Sequence, residues 1–244
     1  MIAGINIMDI AHQRLKPLPY LSLLIDGCIE KGLDVSAGGA IYNFNGPQGV
    51  GIGSVADGLA AIKQLVFDEN KVSGEDYLTA IEKNWEGYEV LRQKILNEVP
   101  HFGNADPYAD EELKWAVDLY YRQCSECSSQ RSKVYKAGLY SAAEHVAQGY
   151  ITYATPDGRK TGEPLADAIS PAQGRDKNGP TSIFVSACCF DHTRFMDGIA
   201  LNLRMHPTVL SSEDGIAKLR DLTKAYFENG GLEVQYNVVD TETL

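Results

Sequence analysis

The chain has 244 residues, of which 44% are hydrophobic and 23% charged, and its 22 basic and 33 acidic residues give a net charge of −11. This length and apolar content allow a large buried core, which excludes an intrinsically disordered protein. The acidic balance argues against binding to nucleic acid or to an anionic membrane surface, because both need clustered Lys and Arg. Five cysteines, an odd number, favour a reducing cytosol over a disulfide scaffold.

The first predicted elements lie at the N-terminal end of the sequence. Residues 2–15 are typical of a helix or loop already under way and carry no secretory signal. Residues 19–31 place their apolar side chains on one helical face, and a glycine follows them, which predicts a helix that ends there. The next predictions are a short strand over 35–44, a glycine-rich loop over 46–53 and an amphipathic helix over 54–67.

Polar helix starts and loop residues divide the middle of the chain. Ser73 opens a further predicted helix, and helical patterns continue to about Leu96. The predictions that follow, in chain order, are a loop over 100–107, a long helix over 110–129, a strand over 134–143, and a long loop over 154–180. Residues 181–190 are ambiguous between strand and helix.

Strands and helices alternate in the last part of the chain. The sequence predicts a strand over 199–205, a helix over 213–228 and a strand over 232–239. Asp240 and Thr241, followed by Glu242, are typical of a helix start, yet the sequence stops at Leu244. We therefore expect truncation, with a frayed natural terminus as the alternative. The alternation of strands and helices indicates an α/β protein and is compatible with a barrel.

Three glycines before the predicted helix over 54–67 suggest one candidate site. Gly49, Gly51 and Gly53 could present backbone amides to a phosphate group. Their G-x-G-x-G spacing differs from the dinucleotide fingerprint, and no Walker Lys-Ser/Thr pair follows. A tight turn is therefore favoured over nucleotide binding.

The cysteines and histidines give weaker signals. Cys124 and Cys127 form a single C-x-x-C within a predicted helix, without the further ligands that a zinc site needs. Cys28 and Glu30 could combine a sulfur radical with an acid or base, but two residues that are two apart on a helix face different directions. His145 and His206 lie near the ends of predicted strands and could reach a site, although a structural role is favoured for both.

Several segments together resemble the pyruvate formate-lyase-like glycyl radical enzymes. They are residues 23–43 (LLIDGCIEKGLDVSAGGAIYN), 49–67 (GVGIGSVADGLAAIKQLVF), 101–106 (HFGNAD), 154–159 (ATPDGR) with 163–171 (EPLADAISP), 178–186 (NGPTSIFVS) and 231–244 (GLEVQYNVVDTETL). TPDGR combined with the downstream GPT and QYNVVD is specific, whereas each motif alone would be weak.

The resemblance implies a ten-stranded α/β barrel in which two loops meet. One loop carries a cysteine that becomes a thiyl radical, and the other carries a glycine that stores the radical installed by a radical-SAM activase. The resemblance places the first loop upstream of residue 23 and the second, with its R-V-x-G-Y pattern, beyond residue 244. Cys28 matches a family helix. We therefore expect residues 1–244 to be one partial barrel domain without a glycyl radical domain.

The resemblance further implies a radical lyase or dehydratase that removes water or another group from a small hydroxylated or amine-bearing substrate. The parent would be a cytoplasmic homo-oligomer and would need the activase. We expect this chain alone to contain no catalytic residue, bound cofactor or metal and to be inactive. The alternatives are a formate C-acetyltransferase parent, a nucleotide-binding module, and a non-catalytic structural remnant.

The predicted strand over 134–143 is the one candidate for contact with substrate, because the matching family strand contributes to the substrate cavity. With a period of two, Leu139 and Ser141 share one face, and ordinary core packing is an equal alternative. The other polar residues of interest have structural interpretations. Asn202, Gln235 and Asn237 are expected to satisfy buried backbone groups, and Asp157 and Arg159 are expected to fix the TPDGR loop.

Overall fold

A computed structural model describes residues 2–129 and 131–240 of the chain. Most of the regular structure in this part is helical. The helices are α1 (Ile2–Leu15), α2 (Pro19–Ser22), α3 (Cys28–Lys31), α4 (Ile52–Ile62), α5 (Gly74–Glu82), α6 (Glu89–Glu98), α7 (Pro107–Ser125), α8 (Glu144–Ile151), α9 (Pro180–Ala187) and α10 (Glu213–Glu228). The strands are β1 (Asn202–Met205) and β2 (Gln235–Val238).

The chain divides into two compact units. The first contains the residues up to Pro47 together with Tyr121–Ala137. The second contains Gln48–Tyr120 and the chain from Gly138 onwards. None of the helices in the described ranges is both long and apolar enough to cross a membrane.

In the first unit the single helix predicted over 19–31 is wrong, because the structure has α2 and α3 with a break between them. Gly27 adopts a left-handed conformation, with φ of 95°. A Cβ at this position would lie 2.9 Å from the carbonyl oxygen of Gly39. This close approach requires glycine and interrupts the helix. The end of α3 at Gly32, with φ of 60°, confirms the predicted stop.

The strand predicted over 35–44 is also wrong. The structure has a single 3₁₀ turn at Val35–Ala37. The carboxylate of Asp34 accepts hydrogen bonds from the backbone N–H and the hydroxyl of Ser36, at 2.9 and 2.6 Å. Gly38 then takes φ of 90°. Local bonds to an Asp side chain therefore outcompete the extended conformation that the apolar run suggested.

In the second unit α4, α5 and α6 pack around an apolar core. Its largest buried side chains include Leu65, Tyr77, Trp85 and Ile95. Ser73 caps α5 as predicted, because its hydroxyl accepts from the N–H of Asp76 at 3.0 Å. The connection between α5 and α6 supports the loop that contains TPDGR, since the indole N–H of Trp85 donates to the carbonyl of Arg159 at 3.2 Å.

The two strands form a parallel pair joined by α10. Asn202 lies opposite Gln235, and Arg204 lies opposite Asn237. Parallel neighbours need a crossover connection, and α10 supplies it. The helix begins and ends where the sequence predicts, at residues 213 and 228. Both strands are shorter than the predicted ranges, which extend over 199–205 and 232–239.

The strand predicted over 134–143 is wrong as a regular element. Its backbone makes isolated bridges at Tyr135, Gly138 and Leu139. Ala142 then takes φ of 47°, and α8 begins two residues later. The ambiguous segment over 181–190 is helical, because α9 begins at Pro180 and runs through Ala187. The helix expected after Asp240 lies outside the described residues.

Candidate functional site

The second unit contains a large open cleft of about 1810 Å³. One wall is the parallel strand pair, and the others are the segment over 140–146 and the long loop that the sequence predicts over 154–180. The cleft contains many polar and charged side chains. They include Arg92, Ser141, His145, Asp157, Arg159, Glu163, Asp167, Arg175, Asp176, Asn202, Arg204, Gln235 and Asn237.

The strand wall presents polar side chains in register. Leu203 and Met205 are buried, while Asn202 and Arg204 alternate with them. The side-chain amide of Asn202 donates to Asp167 Oδ2 at 2.9 Å. The side chain of Gln235 donates to that of Asn237 at 3.2 Å. These side chains therefore bond to other side chains, which corrects the expectation that they satisfy buried backbone groups.

Ser141 lies at the centre of a hydrogen-bonded cluster on the opposite wall. Its hydroxyl donates a short hydrogen bond to Asp167 Oδ1. The same oxygen accepts from the backbone N–H of Ala168 at 3.1 Å. One hydroxyl thus joins the segment before α8 to the loop that carries Asp167, and the carboxylate extends the connection to β1 through Asn202.

His145 completes this cluster from the first turn of α8. Its Nδ1 lies 3.3 Å from Ser141 Oγ and 3.5 Å from Asp167 Oδ1. Its side chain is 16% exposed and that of Asp167 is 29% exposed, so both reach the cleft. From the sequence pattern alone a structural role is favoured for this histidine. The four-residue spacing from Ser141 was the available signal, but the αL turn at Ala142 that shapes the segment is not visible in the pattern.

Arg159 fixes the TPDGR loop as the sequence predicts. Its buried guanidinium donates to backbone carbonyls of Gly149, Thr152 and Glu163, at 3.3, 3.1 and 2.5 Å, and further bonds go to the carbonyls of neighbouring residues. Asp157 accepts a hydrogen bond from the Thr155 hydroxyl. The Arg159 bonds tie the loop to the C-terminal end of α8 and to Glu163, and they need no catalytic role.

Burial shifts the pKa values of the ionisable groups at this end of the cleft. Burial raises the pKa of the Asp157 carboxyl, against the opposing hydrogen bond from Thr155 and the nearby Arg175 guanidinium. Burial also raises the pKa of Asp176 and lowers the pKa of Arg175. Carboxyl groups and guanidinium groups both line this end of the cleft, so its electrostatic potential is neither uniformly negative nor uniformly positive.

The structure places the two predicted substrate-facing residues differently. Ser141 is buried and lies at the cleft wall. Leu139 is fully buried, pairs with Ile199 through a backbone bridge, and is not among the residues at the cleft surface. Contact of either side chain with substrate stays a prediction.

The glycine segment is closely packed where α4 begins, and Gly53 lies in the first turn of that helix, which starts at Ile52. Gly51 takes φ of 82° and precedes the first residue of the helix. A Cβ on Gly53 would lie 2.8 Å from the carbonyl oxygen of Ser170 and 3.0 Å from Ala166 Cβ. The hydroxyl of Ser54 accepts from the N–H of Ala166 at 3.0 Å. This packing favours the tight-turn interpretation over phosphate binding.

The cysteines of the chain are free thiols. Cys124 lies in α7, whereas Cys127 lies beyond its end at Ser125, so the prediction that both are helical is wrong for Cys127. Among residues 2–129 and 131–240 no cluster of three or more His, Cys, Asp or Glu side chains could hold a metal ion. Cys28 and Glu30 lie on α3 as predicted, and the Glu30 carboxylate accepts from the N–H of Gly27 at 3.1 Å.

Comparison with known families supports the resemblance seen in the sequence. The family model described as pyruvate formate lyase-like matches residues 1–149, and the one described as glycine radical matches residues 165–244. The R-V-x-G-Y pattern expected around a radical-bearing glycine does not occur in the printed sequence. The expected domain assignment, with one partial barrel domain over 1–244 and no glycyl radical domain, therefore stays a prediction.

Relatives of known activity match over the full length of the chain. It is 38% identical to the trans-4-hydroxy-L-proline dehydratase of Clostridioides difficile and 36% identical to the (2S)-3-sulfopropanediol dehydratase of Klebsiella oxytoca. All of this chain is covered in both cases, but only 31% and 30% of the relatives.

A solved structure gives the same result. The glycerol-bound B12-independent glycerol dehydratase of Clostridium butyricum superposes with a TM-score of 0.92 and 38% identity, over 98% of this chain and 30% of that one. The α/β fold class and the family expected from the sequence are thus confirmed. The chain belongs to the pyruvate formate lyase-like family of glycyl radical enzymes.

Proposed function

We propose that this chain forms part of the ten-stranded α/β barrel of a glycyl radical lyase or dehydratase and supplies one wall of its substrate cavity. The substrate would be a small hydroxylated compound from which water or another group is eliminated. The observation that carries the proposal is the polar cleft around Asp167 and Asn202, in a chain that matches dehydratases along its whole length. The relatives named above act on or bind compounds that carry hydroxyl groups.

Ser141 and Leu139 are proposed to contribute to that wall in different ways. Ser141 lies at the cleft, so its position supports the expectation that this segment faces the substrate. Leu139 lies behind the surface and would act by fixing the extended backbone that carries Ser141. A core-packing role for Leu139 is equally consistent with its full burial.

The radical chemistry would be supplied by residues outside this sequence. The family stores a radical on a glycine, which a radical-SAM activase installs, and transfers it to a cysteine. We propose that the complete protein is a cytoplasmic homo-oligomer that needs this activase. The 244 residues alone are proposed to be catalytically inactive.

Formate C-acetyltransferase chemistry is the alternative within the family. It differs in its products, because a dehydratase releases water and an unsaturated or carbonyl compound, whereas the acetyltransferase needs coenzyme A. The dehydratase relatives, which match at 36% and 38% identity, favour elimination.

Two further alternatives belong to other classes. Nucleotide binding at the glycine turn is disfavoured by the close packing of Gly53 against Ser170, and calorimetry with ATP and NAD would detect it as heat. A non-catalytic structural remnant would be recognised from the gene, because the flanking DNA would not continue the reading frame into the two radical loops.

The test of the proposed function uses the contiguous gene product. The DNA on both sides of the coding segment is sequenced, and the full reading frame is expressed under anaerobic conditions with its activase. Glycerol, 1,2-propanediol and trans-4-hydroxy-L-proline are then supplied in parallel with pyruvate and coenzyme A. Dehydration of a hydroxylated compound supports the proposal, whereas acetyl-coenzyme A as the sole product contradicts it.

A further inference from the structure

We propose that His145 is a hydrogen-bond acceptor in the cleft, with its Nδ1–H held by the Ser141–Asp167 pair and the lone pair of Nε2 available to a ligand. The ligand class is a compound that donates a hydrogen bond, from a hydroxyl or an ammonium group. The ligand part of this inference rests on the proposed function, whereas the protonation pattern rests on the structure alone.

The number of protons in the cluster determines the tautomer of His145. The hydroxyl of Ser141 has one hydrogen, and it is donated to Asp167 Oδ1. Among residues 2–129 and 131–240, the polar atoms within reach of His145 Nδ1 are Ser141 Oγ and Asp167 Oδ1, at 3.3 and 3.5 Å, and neither atom has a hydrogen left for it. Nδ1 must therefore carry the proton and act as the donor, which leaves Nε2 unprotonated in the neutral ring.

The other members of the cluster hold this arrangement. Ser141 Oγ already accepts from the N–H of Ala168, and Asp167 Oδ2 already accepts from Asn202. The carboxylate behind the imidazole favours the Nδ1–H form and makes Nε2 a better acceptor, as the carboxylate partners of other histidines do. Asp167 is thus a positioning residue for His145.

Nε2 of His145 hydrogen-bonds to no described protein group. Within residues 2–129 and 131–240 the hydrogen bonds and ion pairs of the ring involve Nδ1 alone, and Nε2 is not among the enclosed atoms that lack a partner. The side chain lies at the cleft surface with 16% exposure. A ligand in the cleft can therefore contact Nε2 without displacing a protein group.

The cluster contains the residue types of a Ser-His-Asp triad but not its geometry. A triad needs the serine at one ring nitrogen and the acid at the other, so that the histidine can take the serine proton. Here Ser141 and Asp167 both lie near Nδ1, and the serine hydroxyl donates its hydrogen bond to the carboxylate. The arrangement excludes Ser141 as an activated nucleophile and leaves Nε2 as the group that faces a ligand.

The groups immediately beside Nε2 select the ligand. Nε2 of a neutral His145 is an acceptor, and the Asp167 carboxylate beside it is an anion with 29% of its side chain exposed. A hydroxyl or ammonium group satisfies an acceptor next to an anion, whereas a carboxylate or phosphate would bring a further acceptor and a like charge.

Nitrogen-15 NMR of the histidine-labelled chain at pH 8 tests the protonation pattern directly. The expected result is an Nδ1–H tautomer for His145. His192 and His206 are internal controls of the opposite tautomer, because their Nδ1 atoms accept from the backbone N–H of Leu232 and Thr208, at 3.2 and 3.3 Å. An Nε2–H tautomer at His145 would overturn the inference while leaving the proposed enzyme function untouched.

A pair of matched variants tests the role of Asp167. Asp167→Asn replaces the carboxylate with a group that can donate to Nδ1, and the Nδ1–H population of His145 is expected to fall. Asp176→Asn removes another cleft carboxylate, one without a bond to His145, and should leave the tautomer unchanged. Equal effects of the two substitutions would contradict the positioning role. If Asp167→Asn does not fold, the tautomer of His145 in the unmodified chain still tests the proposed protonation pattern.

Carbethoxylation by diethyl pyrocarbonate, followed by peptide mass spectrometry, tests the ligand class. The reagent attacks an accessible unprotonated imidazole nitrogen, so His145 should react while buried His192 should not. 1,2-Propanediol should slow modification of His145, by about twofold at a concentration equal to its dissociation constant. 1,2-Dimethoxyethane, which has no hydroxyl hydrogen, should not slow it. The rates are normalised to that of His12, which is exposed on α1 and does not line the cleft. Equal normalised rates with both compounds would overturn the donor selectivity.

Discussion

The side-chain amide of Asn202 donates to Oδ2 of Asp167 at 2.9 Å, which ties β1 to the loop that follows the TPDGR segment. The other oxygen of the same carboxylate accepts from Ser141. One acid therefore joins the strand wall of the cleft to the wall that carries His145, and the shape of the cleft depends on it.

Asn202→Ala is expected to destabilise the chain by about 2 kcal/mol, because it removes the donor to a partly buried carboxylate. Asn237→Ala is the matched control on the neighbouring strand. In the described part of the chain its side-chain oxygen accepts from the exposed Gln235 and from no other group, so this variant should change the free energy of unfolding by less than about 0.5 kcal/mol. Urea unfolding of both variants measures the difference. Equal losses of stability in the two variants would show that the bond to Asp167 makes no particular contribution to the free energy of unfolding.

Arg159→Lys should destabilise the chain by about 3 kcal/mol. The guanidinium donates to several backbone carbonyls at once. The single ammonium group of lysine cannot donate in all of these directions. Arg220→Lys is the control, because Arg220 is exposed and pairs with adjacent Asp221. The control should lie within about 0.5 kcal/mol of the unmodified chain. A tolerated Arg159→Lys would disprove the structural role assigned to TPDGR.

Gly53→Ala is expected to destabilise by about 2 kcal/mol, since its Cβ would lie 2.8 Å from the carbonyl oxygen of Ser170. Gly74→Ala is the contrasting variant at the start of α5, where the nearest atom is 4.0 Å away. There alanine should stabilise by about 0.5 kcal/mol because of its higher helix propensity. Thermal unfolding of the two variants measures the difference in stability. If Gly53→Ala were as stable as the unmodified chain, the close packing that disfavours phosphate binding here would be contradicted.

Asp110 gives the chain a predictable pH dependence. Burial raises the pKa of its carboxyl to about 6, partly offset by the hydrogen bond from the Ser186 hydroxyl at 3.0 Å. Because the folded pKa exceeds the ordinary value of 3.8, the stability contributed by protonated Asp110 is full below about pH 4 and is lost as pH rises through about 6.

Asp110→Asn should therefore stabilise the chain at pH 8, by about 1 kcal/mol after allowance for solvent screening, and should have little effect at pH 4. Urea unfolding at the two pH values measures this. Glu111→Gln, at an exposed neighbouring position, should show no such dependence. A variant less stable than the unmodified chain at pH 8 would contradict the assigned shift.

Exposed apolar side chains of the first unit predict self-association of the isolated chain. Tyr42 is 88% exposed and Leu24 66%, and Leu23 and Ile29 are similar. Surfaces of this kind favour association, although the net charge of −11 opposes it. Sedimentation equilibrium should show oligomers that increase with added salt and decrease in a Leu23→Gln, Leu24→Gln, Tyr42→Gln variant. A monodisperse monomer at every salt concentration would be inconsistent with this expectation.

Local signals were predictable from the sequence. Ser73 marks the start of α5 and Gly32 the end of α3, because the bonds that cap a helix join residues only a few positions apart. The prediction of a strand over 35–44 is wrong because the pattern of apolar residues does not reveal the turn that the Asp34 side chain stabilises.

The cleft could be predicted only in part. Ser141 was recognised through the family resemblance, but its bond to Asp167 joins residues 26 positions apart, and the bond from Asn202 spans 35. No local pattern specifies such pairs. The sequence favours a structural role for His145, because the turn at Ala142 and the two partners that the tertiary fold brings to Nδ1 leave no local pattern.

The most direct test of the proposed enzyme function is electron paramagnetic resonance after anaerobic incubation with a glycyl radical activase and S-adenosylmethionine. The contiguous gene product should show the doublet of a protein glycyl radical. The 244-residue chain, whose sequence lacks the R-V-x-G-Y pattern, should show none. A doublet from the 244-residue chain, or its absence from the activated contiguous product, would contradict the account.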